Sequence, residues 1–296
     1  MIQRLRNFGL ADTVELQMRV QGWAEARFAP GDNDVVMVNE IVCGQPGCPP
    51  LETVIALLPE GRRPVKFKLY KALAEVTEAD VAALMQATVD AFGRLDVVVN
   101  NAGYGYVASI EEGDEAAVKA MYEVNLFGAI RMMQAVLPGM RARRRGHVIN
   151  ISSMTGLVAN PPNAYYSSTK FALEALTEAL SKEVAPLGIK VTAIEPGAFR
   201  TDWAARSMQE SSTPIGDYDE NVGARKAMIK AFAGHLPGDP RKVAEAVLMV
   251  STLDDPPLRL LLGRDVLAAV REKIADLTAS IDQWESVTRD VNFPKG

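Results

Sequence analysis

Leu95-Asp96-Val97-Val98-Val99-Asn100-Asn101-Ala102-Gly103 is a nearly unbroken apolar run that stops at two asparagines and two small residues. A strand covered by helices on both faces needs such a run, because neither of its sides meets water. Upstream, Ala79 to Phe92 carries Val81, Leu84, Val89 and Phe92 on one helical face and ends at Gly93. Downstream, similar runs recur as His147-Val148-Ile149-Asn150-Ile151-Ser152, Lys190-Val191-Thr192-Ala193-Ile194 and Arg259-Leu260-Leu261-Leu262. Helical patterns fill the intervals over Asp114 to Met140, Ala164 to Val184 and Pro240 to Leu253, and Asp265 to Trp284 follows the last strand. This alternation predicts βαβ units around a parallel sheet, an α/β chain.

The first 75 residues differ in texture. Asp34 to Val42 reads as a strand, and Thr53 to Leu58 and Val65 to Tyr70 read as a hairpin about Pro59-Glu60-Gly61-Arg62-Arg63. The expected organisation is an atypical α+β segment over 1–75 and a βαβ domain over 76–296. An orphaned edge of the Leu95 to Val99 strand invites pairing, and the hairpin is the candidate to cover it. Gly216 to Gly238 lacks periodicity and reads as a loop or a mobile segment over a cleft.

Composition narrows the functions. Of 296 residues, 48% are hydrophobic and 23% charged, enough apolar material for a packed core. With 32 basic and 37 acidic side chains the net charge is −5, which gives no bulk positive field to gather nucleic acid. No run approaches the roughly 18 to 20 apolar residues of a membrane span. Cys43 and Cys48 build no disulfide framework, no apolar signal core follows Met1 to Arg6, and a cytoplasmic location is expected. Two distant histidines, His147 and His235, make a histidine-rich metal site improbable, and structural zinc needs four ligands where Cys43 and Cys48 supply two; no metal is expected. Arg141, Arg143, Arg144 and Arg145 fall at a helix C-terminus, where cations are favoured.

The chemistry starts at Tyr166-Ser167-Ser168-Thr169-Lys170, where the i, i+4 spacing projects a phenol and an ammonium from one helical face. An ammonium beside a phenol favours the phenolate and draws its pKa down from about 10, which fits Tyr166 for acid/base work. Three more motifs close predicted strands: Ile151-Ser152-Ser153, Asn100-Asn101-Ala102-Gly103 and Pro196-Gly197. All lie at carboxyl ends, the rim at which open parallel sheets bind ligands. Singly, each residue has an ordinary reading: Tyr166 as amphipathic core, Ser153 as a helix N-cap, Asn125 as a buried hydrogen-bonding asparagine.

In combination, order and spacing resemble the short-chain dehydrogenase/reductase family, from about Val76 to the C-terminus, which implies an α/β fold with a Rossmann-like parallel sheet, the C-terminal part of a doubly wound fold. That resemblance implies that Tyr166 exchanges the proton of a carbonyl or alcohol. Lys170 lowers its pKa and holds the nicotinamide ribose, Ser153 binds the substrate oxygen, and Asn125 anchors a water leading to the lysine. It further implies that Asn101, Ala102 and Gly103 pass the adenosine half of the cofactor, while Gly197, Phe199 and Thr201 embrace the carboxamide. The cofactor implied is NAD or NADP, and the assembly a homodimer or homotetramer through the 114–140 and 164–184 helices.

The family's Gly-x3-Gly-x-Gly turn is missing. Gly9, Gly22, Gly31, Gly44, Gly47 and Gly61 reproduce no such spacing, and Glu75-Val76 replaces the usual Asp-Val beside the adenine. Two functions therefore stand at this point. One is an oxidoreductase moving hydride between NAD(P) and an alcohol or ketone, apolar by the sparse charge of Trp203 to Met208; the other is a catalytically silent scaffold whose cofactor-binding half has been replaced.

Overall fold

Seven strands pair into one sheet in the computed structural model, which describes residues 35–42, 51–58, 65–69, 93–201, 208–232, 235–291 and 293. They are β1 (Val35–Val42), β2 (Leu51–Leu58), β3 (Val65–Leu69), β4 (Val97–Asn100), β6 (Gly146–Ile151), β7 (Ile189–Pro196) and β9 (Arg259–Leu262), in spatial order β3-β2-β1-β4-β6-β7-β9. A separate parallel pair joins β5 (Gly105–Val107) to β8 (Met208–Glu210). From β1 to β9 every neighbour is parallel, whereas β1, β2 and β3 run antiparallel to one another. Connection length accounts for the change. Residues 43–50 and 59–64 are too few for the crossover of a dozen or more residues that parallel neighbours require.

The predicted hairpin does not cover the edge of β4. That edge is paired with β1, in register Val35↔Val97 to Val38↔Asn100, and the hairpin of β2 and β3 adds outside β1. A strand of eight residues against a partner of four leaves β1 running past Asn100, and there, among the described residues, it pairs with β2 alone as far as Val42↔Leu51.

Six helices are described: α1 (Glu115–Tyr122), α2 (Gly128–Arg143), α3 (Ala164–Val184), α4 (Ala224–Phe232), α5 (Pro240–Thr252) and α6 (Arg264–Arg289). Adjacent strand residues serve opposite layers. Val98, Val148 and Val191 join one core with Met132, Val136 and Leu180 of α2 and α3. Val97, Val99, Ile149 and Ile194 join another with Val247 and Val250 of α5. This two-sided burial is why these strands are apolar at almost every position. The predicted helix over 114–140 is divided by a π-helical turn, Glu123–Phe127, between α1 and α2. Its N-terminus is capped by Asp114, whose carboxylate accepts from Ala117 N at 2.8 Å. The stretch expected as loop at 216–238 holds two short helical turns and α4 instead. The helix expected over Ala79 to Phe92 lies outside the described residues, as do Glu75-Val76 and both cysteines.

Candidate active site

The carboxyl rim of β4, β6 and β7 gathers most of the chemistry-bearing side chains. Asn100 and Asn150 are register partners, and Asn100 Nδ2 donates to Asn150 Oδ1 at 2.8 Å while Asn150 Nδ2 donates to Thr177 Oγ1 of α3 at 2.9 Å. This buried polar ladder fixes α3 against the strand ends, so residues one helical turn apart on α3 face the rim. Tyr166 and Lys170 are two of them, and both are buried.

Ser153 follows β6 and hydrogen-bonds the Tyr166 side chain. It also serves as the N-cap expected of it: its hydroxyl accepts from Thr155 N at 3.2 Å and Thr155 Oγ1 at 3.0 Å, on a helical turn over Met154–Gly156. Those bonds fix the hydroxyl's direction. Lys170 Nζ donates to Ile151 O at 2.9 Å and stands 5.8 Å from the Tyr166 ring centroid. Asn125 lies in the π-helical turn and clamps the chain after β4. Its Oδ1 accepts from Tyr104 N at 3.0 Å, and its Nδ2 donates to Tyr104 O at 2.9 Å and to Thr169 Oγ1 at 3.2 Å. The wide turn is what aims this side chain, and such single-turn π-bulges recur at functional sites. Gly103 completes the group: a Cβ there would stand 3.1 Å from Asn125 Oδ1 and 3.4 Å from Lys170 Nζ.

The electrostatics correct one expectation. Burial pushes the Tyr166 phenol up to about 12, against which the Ser153 hydrogen bond works. The Lys170 ammonium, 5.8 Å from the ring centroid and donating to a carbonyl, does not outweigh that burial. Burial also lowers Lys170 to about 8, with Glu174 working to raise it.

Gly197, Phe199 and Thr201 leave the end of β7 and are held by other partners than the Ser153, Tyr166 and Lys170 group. Gly197 N donates to Leu262 O at 2.9 Å, and Ala198 N to Asp265 Oδ2 at 2.8 Å. Phe199 bridges to Gly238, where a Cβ would meet its ring at 2.5 Å, and Thr201 N donates to Phe199 O at 2.9 Å. Residues 202–207 lie outside the described residues, and with them most of the stretch read as the apolar substrate side. Asn101 and Ala102 link the end of β4 to Gly103.

A dinucleotide fits this arrangement at one end. Lys170 spends one of its three donors on Ile151 O, beside Tyr166 and a Gly103 without side chain, as a nicotinamide ribose would need. The pyrophosphate end does not fit. That group normally rests on a helix N-terminus directly after the first strand, whereas β1 continues four residues beyond Asn100, about 13 Å, and returns as β2. Among the described residues no helix begins there, and no group of His, Cys, Asp and Glu is placed to hold a metal. His147 is buried on β6 against Thr192 Oγ1 at 2.9 Å, with its pKa lowered to about 4 chiefly by burial.

Two acidic hubs were not read from the sequence. Glu112 is buried and accepts from Ser109 N at 2.9 Å, Ile215 N at 2.8 Å and Lys226 Nζ at 3.3 Å, which ties the 211–226 segment to the chain after β5. Those backbone donors, Ile215 first, lower its pKa to about 2. Glu174 and Glu178 continue the face of Tyr166 and Lys170 along α3 and share Arg259 at 3.1 and 2.8 Å. Beside them Glu195 is fully buried on β7, 4.0 Å from Arg259 Nε. Its signal was a carboxylate closing the apolar run before Pro196, and Glu112 had none.

Comparison with known proteins agrees with this architecture. A sequence profile described as short chain dehydrogenase matches residues 42–212, more than half of the chain. An oxidoreductase of Botryotinia fuckeliana, BOA17, is 36% identical over 75% of this chain and 81% of its own length. A short-chain dehydrogenase from Streptomyces avermitilis superposes with a TM-score of 0.68 at 36% identity, over 75% of this chain and 79% of that one. A gluconate 5-dehydrogenase from Burkholderia cenocepacia, solved with NADP and tartrate, gives 0.53 at 27% identity over 67% and 74%. The parallel α/β sheet and these relatives define an oxidoreductase family. The chain belongs to the short-chain dehydrogenase family.

Proposed function

We propose that this protein is an NAD(P)-dependent oxidoreductase acting on an alcohol or ketone, with Tyr166 as the group that exchanges the substrate's proton. The observation that carries this reading is the Ser153 hydroxyl hydrogen-bonded to Tyr166 while the Lys170 ammonium stands 5.8 Å from the ring. A substrate oxygen placed against Ser153 and Tyr166 receives two hydroxyl hydrogen bonds, which polarise its carbonyl as negative charge develops on oxygen. Lys170 and Tyr166 would hold the nicotinamide ribose, Asn101 to Gly103 would pass the adenosine half, and Gly197, Phe199 and Thr201 would border the carboxamide. When bound, the cofactor supplies or accepts the hydride. Asn125 holds Tyr104 and thereby the segment from Asn101 to Gly103, so its role is positioning.

An apolar substrate suits the partly exposed Leu157 and Val158, which follow the Ser153 turn. A cytoplasmic homodimer or homotetramer fits the half-exposed Phe127 and Phe171 beside the α2 and α3 contact of Leu126, Ala129 and Leu173. One observation favours the silent-scaffold alternative, namely β1 running past the rim where a phosphate cradle belongs. Titration with NADPH and NADH, followed by thermal shift, separates the two, because a ligand that binds only the folded form raises its apparent stability. A saturable shift supports the enzyme; no shift at millimolar dinucleotide supports the scaffold.

A further inference from the structure

α6 is 26 residues long, about 39 Å, yet among its residues only Val266 is buried. Its base is anchored, since Asp265 accepts from Ala198 N and its first turns lie beside β9 and the Met154–Gly156 turn. Beyond that base Leu267, Val270, Ile274, Leu277, Ile281 and Trp284 succeed one another at steps of three and four. Ile274, Leu277, Ile281 and Trp284 are 55–59% exposed. Isolated exposed apolar side chains are ordinary, but a stripe of six at alternating steps of three and four, a mean of 3.4 residues, with all but Val270 exposed, is the seam of a two-helix coiled coil. Thr288 and Val291 continue the same series.

We propose that α6 pairs in antiparallel fashion with α6 of a second copy of this chain. Charge decides the occupant and the direction. With the two-fold axis between Leu277 and Ile281, each Ile274 faces the partner's Trp284 and each Leu277 the partner's Ile281. Arg271 and Glu285 flank this seam on the same side, and the antiparallel arrangement sets each against the other of the second helix, twice by symmetry. A parallel pair in register would instead oppose Lys273 to Thr278 and Ser280 to Glu285, with no opposite charges. It would also crowd two globular bodies at one end, whereas the antiparallel pair places them at opposite ends. The polar face carries Arg264, Arg271, Lys273 and Arg289 against Asp265, Glu272, Asp276, Asp282 and Glu285. That balance gives no attraction to an anionic membrane.

Sedimentation of the full chain tests the pairing. The assembled mass should be a dimer or a multiple of one, and Leu277→Glu with Ile281→Glu should halve it, raising the dissociation constant roughly 100-fold or more. Because both positions are exposed, the variant should keep its far-ultraviolet dichroism. Arg271→Glu alone should weaken assembly, and Arg271→Glu combined with Glu285→Arg should restore it. A monomeric wild-type chain, an unchanged mass in the seam variant, failure of the charge exchange to restore assembly, or cosedimentation of monomer with phosphatidylglycerol vesicles would each overturn the proposal.

Discussion

Glu195→Gln should make the protein more stable in alkali while changing little in acid. Glu195 is fully buried on β7, and burial first, then repulsion from Glu174, pushes its carboxyl up to about 8 despite Arg259 at 4.0 Å. In the unfolded chain the same group titrates near 4.5. A folded pKa raised above the unfolded one means that the stability contributed by the protonated form is complete below 4.5. It is lost as pH climbs toward 8, because the unfolded chain releases a proton that the fold retains. At about 1.4 kcal/mol per pH unit the window from 4.5 to 8 amounts to about 5 kcal/mol, and on the order of 3 once neighbours relax. Glutamine cannot ionise, and Glu174 Oε1, buried without a hydrogen-bond partner, can accept from its new amide. Urea unfolding at pH 5 and pH 9, followed by tryptophan fluorescence, measures the difference. The variant should match the wild type at pH 5 and exceed it by on the order of 3 kcal/mol at pH 9. Parallel stability curves for the two proteins would refute the buried-carboxyl argument.

Other perturbations follow from the same contacts. Asn125→Ala removes three buried hydrogen bonds, two of them to Tyr104, and should cost about 2–4 kcal/mol of stability and lower turnover, read by denaturation and kinetics. Since burial holds Lys170 near 8, the ammonium is lost as pH rises through that value; kcat/KM should fall above pH 8 and Lys170→Met should lose activity throughout. A wild-type profile level from pH 7 to 10 would contradict that assignment. Glu112 has its pKa depressed to about 2, so its contribution is full above 4.5 and fades as pH drops toward 2. Glu112→Gln should loosen the 211–226 segment at neutral pH, seen as faster amide exchange at Ile215 and faster tryptic cleavage near Arg225 and Lys226.

The parallel half of the sheet was legible because both faces of β4, β6 and β7 are buried, and continuous apolar runs of strand length arise in few settings besides this one. The helical i, i+4 spacing placed Tyr166 and Lys170 on one face, and the resemblance in order and spacing to the dehydrogenase family joined Ser153 to them. The interruption of the 114–140 helix was not: a π-helical turn inserts no proline or glycine signal at Glu123–Phe127, and only the clamp of Asn125 on Tyr104 gives it a purpose. The placement of β1 against β4 was hidden too, because β1 and β2 are both largely apolar and edge pairing is settled by chain length and register. The effect of burial on Tyr166 could not be read from spacing, since spacing reports the neighbour and not the solvent.

The most direct measurement is Tyr166→Phe, assayed for NADPH and NADH binding by thermal shift and for turnover of a panel of ketones and alcohols. The phenol is assigned the substrate's proton, and Lys170 can still hold the ribose. The variant should therefore retain most of the cofactor-induced shift while turnover falls by a factor of at least about 100. Wild-type turnover in the variant, or no cofactor-induced shift in the wild-type protein, would contradict the account.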